Sequence, residues 1–208
     1  MSTGRLESFS DAVIAVAATL LVLNLVVPPP GSPEVAHGLG HALGSKWPAY
    51  DAYAISFITI GIIWINHHVV ISRLREADHS ILILNLLLLM TIGLLPFATA
   101  LLSTYLTEPQ GQHLAAAAYS GAFLLMSIAF VVLNWQILMR RSHLLRSELP
   151  HEERRRIQLR FMAGLGPYLV ATGLAFVSQY ATLAICGAVA VFYALPIASG
   201  LTRGARAG

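Results

Sequence analysis

Between residues 5 and 27 the chain passes from an arginine and two acids into aliphatic sequence (RLESFSDAVIAVAATLLVLNLVV), and long apolar stretches alternate with short polar breaks from there to the end. Six of these stretches approach or exceed the roughly 20 mostly apolar residues that an α-helix needs to cross a bilayer. They predict spans at 6–27, 49–72, 80–105, 113–139, 157–177 and 180–200. The links leave no room for a second domain. Residues 1–208 therefore read as a single all-α integral membrane domain of six transmembrane helices, with sequential neighbours antiparallel. Pro28, Pro29 and Pro30 stop the first span, and the Gly-rich sequence to Lys46 predicts an external loop with a short helix. The charged link 140–160 is expected to prolong the fourth and fifth helices beyond the membrane. No internal repeat is evident, because the Phe9-Ser10-Asp11 element occurs once.

Composition agrees with the pattern. Hydrophobic residues make up 56% of the chain and charged residues only 11%, against about 25% charged in soluble domains, and the mean hydropathy is +0.69. The charges also orient it. Of 13 Lys and Arg, Arg5 precedes span one, Arg73 and Arg75 follow span two, seven arginines from Arg140 to Arg160 surround the link between spans four and five, and Arg203 and Arg206 close the chain. Only Lys46 falls on the other side, which places both termini in the cytoplasm of a cell-membrane protein. Glu7 and Asp11 spoil the cationic start of a signal peptide, so the first span is expected to be retained.

Several function classes fall away. The basic run HEERRR is accounted for by anionic lipid headgroups, so no nucleic-acid partner is expected. Cys186, the only cysteine, lies inside the last span and can form neither an intramolecular disulfide nor a Cys-based metal site. His37 and His41 are four apart, but nothing nearby completes a tetrahedral set, and no metal or cofactor is predicted. No nucleophile with a base and no phosphate loop is present, so the protein is not expected to be an enzyme.

Polar residues cluster at one depth. Asp11 lies six residues inward from Arg5, or about 9 Å along a helix. In span two Trp64, Asn66, His67 and His68 lie just before Arg73, and Asn85 lies about five residues into span three. Buried polar groups in a membrane need partners, so this layer reads first as a staple joining spans one to three. The alternative is a proton relay between Asp11 and His67 or His68, as in a proton-coupled transporter; a scaffold that transports nothing is the third possibility.

Opposite the acids, span one carries an apolar stripe. At 100° per residue, Ala12, Thr19, Leu20, Leu23 and Val27 all fall within about 60° of Val16, whereas Asp11 is about 140° away. Such a stripe can face lipid or another helix.

The pattern Arg5-x-x-x-Phe9-Ser10-Asp11 at the start of span one resembles the signature of the TMEM175 family of lysosomal and prokaryotic potassium channels. The likeness extends to Trp64, His67 and His68 in span two and to Asn85, Pro96 and Phe97 in span three, about half the chain. The resemblance implies a passive, potassium-permeable channel, a homotetramer because prokaryotic members carry one repeat of the motif where animal members carry two. It implies that the first helix lines a central pore, held by Arg5, Phe9, Ser10, Asp11, Trp64, His67, His68 and Asn85. Val16, Leu20 and Leu23 would then form stacked hydrophobic rings, flanked by Thr19 and Ala12, with potassium ions passing as transient occupants rather than a cofactor. Rings of this kind gate by dewetting and offer no carbonyl filter.

Overall fold

The computed structural model describes residues 3–204, with side chains through Leu195. Its principal helices are α1 (Thr3–Leu20, carried on by a 3-10 turn over Leu21–Asn24), α2 (Leu39–Ser45), α3 (Trp47–Ser72), α4 (His79–Tyr105), α5 (Gln112–Trp135, carried on by a π turn over Gln136–Arg140), α6 (His151–Ala163), α7 (Leu165–Leu174) and α8 (Gln179–Gly204). The described residues contain no strand, only an isolated antiparallel bridge between Leu74 and Leu145.

Among the described residues four helices are long and apolar enough to cross a membrane: Thr3–Asn24, Trp47–Ser72, His79–Tyr105 and Gln112–Arg140. They match the first four predicted spans to within about three residues at either end, the boundary error expected of a reading from pattern alone. The first span ends before Val26 and Val27 because the chain must turn into Pro28, Pro29 and Pro30. Asp78 starts α4 by accepting a hydrogen bond from the Ile81 amide at 2.9 Å.

The stretch predicted as the fifth span is divided. Polar α6 begins at His151, with Glu152 and Glu153 in its first turn, where acids meet unpaired amides. The helix breaks at Gly164, and α7 runs for only 10 residues. Pro167 explains the break: it has no N–H for the carbonyl of residue 163, and its ring crowds that carbonyl. Gly164 admits the Tyr193 hydroxyl, which would lie 3.2 Å from any Cβ placed there. The sixth predicted span lies within α8, whose apolar part with described side chains is Gln179–Leu195. The side chain of Arg203, and Arg206 entirely, lie outside the described residues.

Helix α4 packs most extensively on α5 and also on α1 and α3, while α7 and α8 pack on each other and on α5. Leu88, Ile92, Leu95 and Leu102 of α4 join one buried cluster with Tyr119, Phe123 and Met126 of α5. Between two apolar phases this packing is held by van der Waals contact and interhelical hydrogen bonds. Ser56 supplies such bonds, meeting Thr99 at 2.9 Å and Tyr119 at 3.1 Å, and so ties α3, α4 and α5 together. At the basic end, Arg146 donates to the Leu74 carbonyl at 2.9 Å and reaches the Thr3 hydroxyl at 3.5 Å. Arg141 pairs with Asp78 at 2.7 Å. The two basic links are thereby fastened to each other and to the start of α1.

Candidate functional site

Helix α1 has one buried face, formed by Leu6, Ser10, Ile14, Ala17 and Leu21 at helical spacing. Ser10 is fully buried there. Its hydroxyl donates to the Leu6 carbonyl at 2.8 Å and accepts from the Asn85 amide nitrogen at 2.9 Å. The Asn85 amide oxygen then faces His67 Nε2 at 2.7 Å. Because the nitrogen of Asn85 is spent on Ser10, its oxygen must accept, which assigns the proton of neutral His67 to Nε2. His67 Nδ1 is buried with no hydrogen-bond partner.

Two further contacts flank this chain of hydrogen bonds. The Trp64 indole N–H donates to Asp11 Oδ1 at 2.9 Å, and His68 Nδ1 meets Glu7 Oε1 at 2.7 Å. Trp64, His67 and His68 stand at i, i+3 and i+4 on α3, so they share one face. Glu7 and Asp11 are likewise four apart on α1, and the two helices run antiparallel. Glu7 therefore meets the later residue of the α3 pair and Asp11 the earlier one.

The polar layer forms at the depth expected, joining α1, α3 and α4, but its pairing differs from the expected one. Asp11 meets Trp64, not a histidine, and Ser10 makes the contact to Asn85, which in turn meets His67. The cause is rotation: Ser10 points into the helix bundle, and Asp11, about 100° further round, sits at its edge. Arg5 and Phe9, also expected to anchor the helix, are exposed on the side of Val16. The pairing of Glu7 with His68 was missed, although two i, i+4 pairs on antiparallel neighbours were a visible signal for it.

The stripe is exposed throughout. Val16 is 56% exposed, Leu20 43% and Leu23 69%, with Phe9 at 50%, and Ala12 and Thr19 are exposed beside them. A shallow apolar groove runs along it, lined by Phe9, Ala12, Val13, Val16 and Leu20, with Gly93 of α4 beneath. Thr19 donates to the Val16 carbonyl at 2.9 Å, which leaves its oxygen free to accept from or coordinate something outside the chain. At the far end Asn24 donates to the Pro96 carbonyl at 3.3 Å, fastening α1 to α4. Among the described residues no three His, Cys, Asp or Glu groups gather where they could hold a metal ion.

An all-helical, multi-pass membrane protein with a polar-anchored first helix that leaves an apolar face open is the class these features define. The chain belongs to the TMEM175 family. The family's sequence model, described as endosomal/lysosomal potassium channel TMEM175, matches residues 5–96. A potassium channel of Streptomyces collinus is 44% identical over 191 residues, covering 92% of this chain and 91% of that one. The mouse protein named endosomal/lysosomal proton channel TMEM175 is 36% identical over 117 residues, 54% of this chain and 23% of its own length. The crystal structure of a lysosomal potassium-selective channel TMEM175 homolog from Chamaesiphon minutus superposes with a TM-score of 0.83 at 39% identity, covering 93% of this chain and 97% of that one.

Proposed function

We propose that the protein is a potassium channel: a homotetramer in the cell membrane whose four α1 helices enclose a passive pore. The observation that carries the proposal is the contrast between the two faces of α1. One face is fixed by Ser10, Asp11 and Glu7, while the other leaves Val16, Leu20 and Leu23 open along the length of the helix. Four copies about a common axis would cover that apolar face and stack it into rings. A ring of branched aliphatic side chains excludes water when narrow and conducts when widened, which makes a hydrophobic gate. Thr19, with its free oxygen lone pair, and Ala12 would flank the rings, and Arg5 and Phe9 would meet neighbouring copies at the mouth. The names of the Streptomyces and Chamaesiphon relatives support potassium as the permeant ion.

In this reading residues 1–208 form one unit of six membrane-crossing segments, with α6 and α7 together supplying the fifth and both termini in the cytoplasm beside twelve of the thirteen positive charges. Potassium passes through as the transported ion. No cofactor and no enzymatic step enter the mechanism.

A second reading is proton movement. The proton-channel name of the mouse relative favours it, as do the Glu7–His68 pair and the open Nδ1 of His67. Potassium efflux from liposomes holding purified protein separates the two. A passive potassium pore gives efflux under a potassium gradient alone; flux that needs a pH gradient supports the second reading and contradicts the first.

A further inference from the structure

The structure holds a partly open cavity of about 200 Å³ away from the α1 stripe, bounded by α3, α5, the α6–α7 break and α8. Its walls are mainly apolar, with Phe130, Val189 and Ala190 among them; hydroxyls of Thr59, Ser127 and two tyrosines also line it, and Asn66 and Arg160 lie towards the basic end of the helices. Its apolar walls suit hydrocarbon, and its polar side chains suit a headgroup or water.

The charge around this cavity is lopsided. Arg154 and Gln158 turn inward and hold α6 to α5, donating to the carbonyls of Leu138 at 3.1 Å and Val131 at 3.2 Å. Arg155, Arg156 and Arg160 are left exposed, next to exposed Leu159 and Met162. Glu152 lies four residues before Arg156 and can offset it; Arg160 has Arg156 at i−4 and Gly164 at i+4, so its own helix offers it no acid. A guanidinium at the rim of an apolar cavity, on a helix that shows both arginine and leucine to its surroundings, complements a molecule with an anionic head and a hydrocarbon tail.

We propose that this cavity is a binding site for an anionic phospholipid, with the phosphate on Arg160 and part of one acyl chain between Phe130, Tyr168 and Ala190. Basic pockets between membrane helices recognise anionic headgroups in this way, and arginine offers phosphate a bidentate fork. The site lies outside the α1 stripe, and its occupancy does not depend on whether the protein conducts.

Native mass spectrometry tests the proposal on protein released from bilayers of equal parts phosphatidylglycerol and phosphatidylcholine. The wild-type protein should retain phosphatidylglycerol preferentially. Arg160→Gln should reduce that preference about fivefold, the value of one arginine beside an anionic surface. Ala190→Phe, which fills the cavity and leaves every charge in place, should release the retained lipid; Ser127→Phe fills it from α5 and serves where the first variant does not fold. Equal retention of both lipids by the wild-type protein, an unchanged preference in Arg160→Gln, or full retention by a folded cavity-filling variant would each overturn the proposal. Retention of added oleate in place of phosphatidylglycerol would overturn it too.

Discussion

Ser10 and Asn85 are 75 positions apart in sequence and hydrogen bonded at 2.9 Å, with both side chains fully buried. Asn85 is the hinge of the layer, because one amide group serves Ser10 through its nitrogen and His67 through its oxygen. Neither partner has another side chain to turn to.

Asn85→Leu should therefore destabilise the protein more than Ser10→Ala does. The first leaves the buried His67 ring with no hydrogen-bond partner, at about 1–3 kcal/mol, and also removes the bond to Ser10, which keeps only the Leu6 carbonyl, whereas the second leaves one amide hydrogen of Asn85 unpaired. Thermal unfolding in mild detergent measures the difference, and a larger loss for Ser10→Ala would contradict the arrangement.

Asp11 contributes an acceptor for Trp64 and lies away from the stripe. Asp11→Asn keeps an oxygen at that position and should fold and assemble nearly as the wild type does. Asp11→Ala strands the indole N–H and should lower the yield of assembled protein, while the molecules that do assemble keep their ion preference. Size-exclusion profiles and reversal potentials check this together. A fully assembled Asp11→Ala protein with altered selectivity would put Asp11 in the permeation path instead.

Native mass spectrometry in mild detergent should find four copies. A single chain leaves Phe9, Val16, Leu20 and Leu23 at least 43% exposed along one helix, an apolar face that encloses nothing until copies meet. Monomers or dimers alone would remove the pore.

The four long helices were legible because each is an apolar run bounded by prolines, glycines or charges. The fifth stretch was not, since average hydropathy is blind to the hydrogen bond that Pro167 withholds from residue 163. The depth of the polar layer could be read from distances to flanking arginines. Its pairing could not, because it depends on how each helix is turned. A rotation of about 100° separates Ser10, which reaches Asn85, from Asp11, which reaches Trp64. Arg5 and Phe9 show the same limit: their spacing to Ala12, Val16, Leu20 and Leu23 already put them on the open face, yet as parts of a motif they were assigned to the anchor.

The two faces of α1 should respond differently to truncation. Leu21 is fully buried, and Leu21→Ala should cost about 2–5 kcal/mol, as leucine truncation does in a packed core. Its thermal transition should fall, and in the surviving channels conductance should stay near the wild-type value. Unchanged stability would mean that α1 is turned differently about its axis.

If the open face of α1 surrounds the ion path, the single-channel potassium conductance of Leu20→Ala in planar bilayers should differ from that of the wild type. Shortening one ring should widen the constriction and let water remain in it, so conductance should rise above wild type. Leu125→Ala, which trims a leucine 49% exposed on α5, should leave conductance unchanged. An unaltered conductance in Leu20→Ala, or an equal change in both variants, would contradict the account and move the path to another face of the protein.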